Sequence, residues 1–195
     1  YEISACLVGS EMCIRDRVSG AHERVGNYAG VTVGAKEGVL HYKGYRLNIV
    51  DLPGTYSLSA YSPEELYVMR YLREEMPDVI INTVVASNLE RNLYLTMQLM
   101  ELDVPMVLAL NMMDEMEGNG GSIHINEMEQ ILQMPVVPIS AVKNQGVDEL
   151  VRHAVHIARY QERPGLQDFC GKNDHGGAVH RALHGVMHLI LSLIH

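Results

Sequence analysis

Two apolar runs constrain this chain more than any other feature. Residues 79–86 (Val-Ile-Ile-Asn-Thr-Val-Val-Ala) and 106–110 (Met-Val-Leu-Ala-Leu) lack the polar alternation of a half-solvated strand. Such runs mark strands buried on both faces, the condition of a parallel sheet covered by helices. The surrounding segments agree. Leu89, Leu93, Met97 and Met100 fall near helical spacing within 88–102, residues 126–133 and 147–160 read as helices, and 136–139 as a short strand. Ser62-Pro63-Glu64-Glu65 opens another helix. Ser caps, Pro takes the first helical position and Glu65 completes a capping box, with the helix reaching about Glu75 before Pro77. Residues 39–42 and 45–50 flank Lys43-Gly44 and predict a β-hairpin. The fold expected is α/β: a doubly wound, mostly parallel sheet with one antiparallel hairpin.

Composition limits the partners. At 195 residues, 47% hydrophobic and 20% charged, the chain is long enough for one domain with a substantial core plus an appendage. A formal net charge of −9 argues against a nucleic-acid backbone as partner, although a few N–H groups and one cation could still hold a phosphate locally. Cys6, Cys13 and Cys170 form neither a disulfide framework nor a metal spacing, which points to a reducing compartment. No apolar run has the length of a membrane helix, and no signal peptide is visible. Beginning at Tyr1, the chain reads as a fragment.

In doubly wound sheets ligands bind beyond the carboxyl ends of the strands, and the chemistry-bearing residues here sit at such ends. Asp51 ends one strand, Asn111-Met112-Met113-Asp114 a second and Ser140-Ala141 a third, while Thr32 lies in a Gly-containing loop before the hairpin. Asp51 suits Mg²⁺ held through a water. Gly54 lets its N–H approach a terminal phosphate, and the Thr32 hydroxyl could ligate Mg²⁺ when a γ-phosphate orders its loop. Asp114 would accept from the ring N–H and exocyclic amine of guanine, which adenine cannot offer. Asn111 would brace loops and base, and the Ala141 N–H would donate to the guanine carbonyl. Singly these motifs are weak: Asp-x-x-Gly is a common strand-ending turn and Ser140 reads equally as a turn residue.

The ordered set Gly30-Val31-Thr32-Val33, Asp51-Leu52-Pro53-Gly54, Asn111-Met112-Met113-Asp114 and Ser140-Ala141 resembles a small GTPase. Arg24-Val25-Gly26-Asn27-Tyr28-Ala29-Gly30, Asp51-Leu52-Pro53-Gly54-Thr55-Tyr56-Ser57-Leu58 and Asn88-Leu89-Glu90-Arg91-Asn92-Leu93-Tyr94-Leu95 resemble the cytoplasmic G domain of the ferrous iron transport protein B family. The resemblance covers residues 18–160. It implies a small-GTPase-like fold followed, after a linker at 161–177, by the start of a helical spacer at 178–195. It also implies GTP and GDP as ligands, Mg²⁺ as cofactor, and slow GTP hydrolysis regulating Fe²⁺ uptake at the cytoplasmic face of the bacterial inner membrane. Nucleotide contacts fall on Gly54, Asn111, Asp114, Ser140 and Ala141, Mg²⁺ on Thr32 and Asp51, and catalysis on Thr32 and Gly54. The partner implied is the parent protein's own membrane transport domain, with homo-oligomers arising through the full-length protein.

The departures from the family are equally definite. The phosphate-loop pattern Gly-x-x-x-x-Gly-Lys-Thr/Ser should precede Val18-Ser19-Gly20, yet no lysine occurs before Lys36. Residues 1–17 read poorly as part of any element, with Leu7-Val8-Gly9 at most the end of a strand. From Cys6 to Arg17 the text resembles translated sequencing-adaptor DNA, as does 191–195. The first strand and phosphate loop are therefore expected to be degenerate. Val85 stands where the family usually has Asp, Tyr28 and Ala29 replace Trp and Pro, and no Gln follows Gly54. The competing reading is a degenerate, non-hydrolysing interaction module. His180, His184 and His188 recur at helical spacing and read as a solvated or partner-facing stripe rather than a metal site.

Overall fold

The computed structural model describes residues 1–9, 24–26, 35–59, 61–118 and 123–165. Among them run strands β1 (Glu2–Val8), β2 (Arg24–Gly26), β3 (Ala35–Tyr42), β4 (Tyr45–Asp51), β5 (Val79–Val85), β6 (Met106–Asn111) and β7 (Val136–Pro138). The helices are α1 (Pro63–Glu74), α2 (Leu89–Met100), α3 (Met113–Gly118), α4 (Ile125–Leu132) and α5 (Val147–Tyr160). The strands form one sheet in the order β2-β3-β4-β1-β5-β6-β7. Pairing is parallel from β4 through β1, β5, β6 and β7, and antiparallel across β2-β3-β4. This is the mostly parallel sheet with an antiparallel hairpin that the sequence predicts.

Period-two alternation in the strands divides the core. Cys6, Val8, Ile80, Val84, Leu108 and Leu110 face α1, α2 and α4. Ala5, Leu7, Val79, Ile81, Val107 and Ala109 face α5. Helices thus cover both faces, which is why β5 and β6 read as continuous apolar runs.

Local chemistry sets the element ends. The Ser62 side chain accepts the Glu65 N–H at 3.1 Å as the first half of the capping box. The return bond lands one residue earlier than the motif predicts, with Glu65 Oε2 accepting from the Tyr61 N–H at 3.0 Å. The hairpin turns on Lys43 and Gly44, both at positive φ, in keeping with the tight twist of two-residue β-turns.

The main correction concerns the first residues. Sequence reading finds in 1–17 at most a strand end at Leu7-Val8-Gly9, whereas Glu2–Val8 is the middle strand of the sheet. Ala5, Cys6, Leu7 and Val8 are all fully buried there. Burial and the nearby Glu75 push the Cys6 thiol up to about 12. The three-residue β2 and the six-residue α3 also escape sequence reading. Among the described residues no helix is long and apolar enough to cross a membrane.

Candidate nucleotide-binding edge

Because β4, β1, β5, β6 and β7 run parallel, their carboxyl ends share one edge. Along it stand Asp51, Gly9, Val85, Asn111 and Ser140, in strand order. Asp51 and Asn111 are three strand spacings apart, about 14 Å. The connections diverge between β1 and β5, so Gly9 follows β1 at the topological switch point where such sheets bind ligands. Gly9 has φ +74°, and a Cβ there would lie 2.8 Å from the Thr83 carbonyl oxygen. Only glycine lets the chain leave β1 this close to β5.

Asn111 and Asp114 are delivered by β6 and α3. Asn111, 3% exposed, is the last residue of β6. Met112 at φ 62° then turns the chain so that Asp114 enters the first turn of α3. A β7-to-α5 loop faces them. Paired backbone bonds between Ser140 and Gln145, of 3.1 and 3.0 Å, close it. Gly146 ends it at φ +75°, where a Cβ would come within 2.3 Å of the Pro138 carbonyl oxygen.

Side chains bind these two segments together. Asn111 Oδ1 accepts the Ala141 N–H at 3.2 Å. That N–H, expected to meet a guanine carbonyl, here braces the loop, and a carbonyl ligand would have to share it. Ser140 is more than a turn residue. It is 5% exposed, its Oγ accepts the Lys143 N–H at 3.4 Å, and its hydroxyl helps to hold the Asp114 carboxyl low. Lys143 Nζ lies 2.9 Å from Asp114 Oδ2. The Lys143 ammonium is the main reason that the Asp114 carboxyl lies below its ordinary range, and the Ser140 hydroxyl adds to the shift. Sequence reading misses Lys143, because nothing local links residues 114 and 143.

At the other end of the edge, Asp51 closes β4, and the Leu52 N–H returns to the Leu7 carbonyl at 3.0 Å. Gly54 is exposed, and no described atom lies within 4 Å of where its Cβ would be. Neither packing nor a positive φ requires glycine at this position. The next residues are held firmly. Thr55 Oγ1 donates to the Ser57 carbonyl at 2.7 Å, and the Leu58 N–H donates to Gln98 Oε1 at 2.8 Å. The Arg91 guanidinium stacks 3.6 Å over the Tyr56 ring. Gln98 and Arg91 thereby fix the segment after Gly54 to helix α2, a role invisible to sequence reading.

Behind β5, Asn82 Nδ2 donates to Thr96 Oγ1 at 2.6 Å, and that hydroxyl donates to the Asn92 carbonyl at 3.2 Å. Asn82 Oδ1 and Thr83 Oγ1 are buried without a partner among the described residues. No group of three or more metal-ligating side chains occurs among the described residues. Thr32 lies outside the described residues, as do His180, His184 and His188.

Several known proteins are similar to this chain. A family model described as ferrous iron transport protein B matches residues 7–154. The Fe(2+) transport protein A/Fe(2+) transporter FeoB fusion protein of Porphyromonas gingivalis is 52% identical over 162 residues, 80% of this chain and 19% of that protein. Fe(2+) transporter FeoB of Escherichia coli K12 is 42% identical over 156 residues, 78% of this chain and 20% of that protein. The chain thus spans about a fifth of the length of the curated relatives it matches. The cytosolic domain of the T. maritima FeoB iron transporter in a GDP form shares the fold, with TM-score 0.88 over 99% of both chains at 24% identity. A point mutant of S. thermophilus NFeoB bound to mGDP gives TM-score 0.75 at 43% identity, over 80% of this chain and 61% of that one.

Proposed function

Because the chain belongs to the ferrous iron transport protein B family, we propose that it is the guanine-nucleotide-binding regulatory domain of a ferrous iron transporter. In this reading it hydrolyses GTP to GDP slowly to gate Fe²⁺ uptake. Its partner is the parent protein's membrane transport domain, at the cytoplasmic face of the inner membrane. The observation that carries the reading is the pairing of two strand-end loops by Asn111–Ala141 and by Asp114–Lys143. A carboxylate and an amide meet there at one end of an edge whose other end holds Asp51 and Gly54.

The residues divide the work. Asp114 would take the ring N–H and exocyclic amine of guanine, while Asn111 holds the Ala141 loop against the base. Gly54, a glycine that the fold itself does not demand, would bring its N–H to the terminal phosphate. Mg²⁺ keeps most of its waters and needs one or two protein oxygens, so the single strand-end carboxylate of Asp51, with Thr32 as second ligand, fits this ion. When bound, it would neutralise charge on the phosphate oxygens. Lacking a Gln after Gly54, the chain would orient the attacking water with backbone groups of the Thr32 and Gly54 loops.

A second reading is favoured by one observation: no lysine lies between Gly9 and Lys36, so the phosphate-loop cation is missing. On that reading the chain is a non-hydrolysing interaction module with impaired triphosphate binding. Titration of fluorescent GDP, GTP and ADP, with and without Mg²⁺, tests both. We expect guanine preference, and about 10- to 100-fold weaker binding of GDP by Asp114→Asn, the loss of a charged hydrogen-bonding partner. Equal affinity for ADP and GDP, or no effect of Asp114→Asn, would overturn the guanine site.

A further inference from the structure

Lys143 belongs to the Ser140–Gly146 loop, which its own backbone bonds keep closed. Its side chain reaches out of that loop to Asp114 on a separate element. The Lys143 side chain is 56% exposed and that of Asp114 24%. Asp114 Oδ2 therefore already accepts a charge-assisted hydrogen bond from Lys143 Nζ. A ring with two adjacent N–H donors needs both oxygens of a carboxylate, side by side. It cannot have both while Nζ remains on one of them.

We propose that Lys143 is a cationic competitor held against the base-recognising carboxylate, so that a ring with two adjacent N–H donors binds only by displacing it. The inference rests on the assignment of Asp114 to the base. A charge-assisted bond is roughly twice as strong as a neutral one. A single neutral donor is therefore outmatched, whereas two parallel donors compete on equal terms. The Lys143 side chain is half exposed and belongs to a loop, so displacement needs only its rotation toward water. Lys143 then sets how strongly the site discriminates: it lowers affinity for ligands that use Asp114 and leaves others untouched.

The test uses guanosine and adenosine, nucleosides without phosphate charge, titrated into the intact chain by ligand-observed NMR. Lys143→Met should tighten guanosine about two- to fivefold, the range a half-exposed ion pair supplies, and leave adenosine unchanged. Lys143→Arg, which keeps the charge, should behave as wild type. Raising salt should tighten guanosine for wild type and not for Lys143→Met, since screening weakens the pair. A merely structural lysine would give the opposite sign, because loosening the loop weakens binding. Guanosine binding that requires Asp114 but is unchanged or weakened in Lys143→Met overturns the competitor and leaves the base site standing. Binding that does not require Asp114, or no guanosine binding by either form, overturns the base site and the competitor together. Binding seen only in Lys143→Met supports both.

Discussion

Replacing Thr96 by Val tests the buried polar pair behind β5 most directly. Asn82 and Thr96 are each 0% exposed, and Asn82 Nδ2 donates to Thr96 Oγ1 at 2.6 Å. The substitution exchanges a hydroxyl for a methyl and leaves the Asn82 N–H without its acceptor, beside an amide oxygen that has no partner among the described residues. Stranding a buried polar group in this way costs about 1–3 kcal/mol. For a domain of this size that corresponds to a fall in Tm of about 2–4 °C per kcal/mol. Replacing Asn82 by Val removes the amide together with its unpartnered oxygen, and Thr96 keeps its bond to the Asn92 carbonyl. Asn82→Val should therefore stay within about 1 kcal/mol of wild type, since removing an unsatisfied group offsets the lost bond. The double variant should be more stable than Thr96→Val alone by about 1 kcal/mol or more, a coupling of opposite sign to two additive losses. The chain has no Trp, so urea unfolding is best followed by far-ultraviolet circular dichroism. A neutral Thr96→Val, or a double variant less stable than Thr96→Val, would refute the reasoning.

Two other outcomes follow from the geometry. Gly146→Ala, at φ +75° with its Cβ 2.3 Å from the Pro138 oxygen, should destabilise by at least about 2 kcal/mol and weaken any ligand held through Ala141, read by thermal unfolding and nucleotide titration. The Cys6 thiol is raised from an ordinary value of 9.0 to about 12, so the folded chain binds the proton more tightly than the unfolded chain. Its contribution is complete below pH 9 and is lost as pH rises toward 12. Cys6→Ala should flatten that alkaline slope in urea midpoints, and an unchanged slope would show that the thiol does not cause it.

Legibility in the sequence tracks the distance over which each feature is determined. Helix α5 is legible from end to end, because fourteen residues of amphipathic periodicity decide it locally. The Ser62 cap is legible for the same reason. Strand β1 is not. Glu2 and Ser4 break its apolar pattern, and what makes it a strand is pairing with β4 and β5, more than forty and seventy residues away, the latter edge reinforced by the Ser4 N–H to Asp78 at 2.7 Å. At the site, strand-end residues are legible because the fold class says where strand ends gather. The contacts joining them are not: Lys143 to Asp114, Ala141 to Asn111 and Leu58 to Gln98 each pair residues that share no local pattern.

The position of β1 has a consequence for assembly. Strand β1 precedes both of its neighbours in sequence yet is the middle strand of the finished sheet, and it lacks its partners until β4 and then β5 have been made. Pairing across such separations closes long loops and is slow. Until then, Cys6, Leu7 and Val8 have no sheet to be buried in. Proteolytic loss of this one strand would leave β2-β3-β4 and β5-β6-β7 as two half-sheets, each with a newly opened parallel edge. Edges of that kind template pairing with other chains. The seven residues that look least like part of a domain are thus those that keep its two halves from acting as separate, adhesive surfaces.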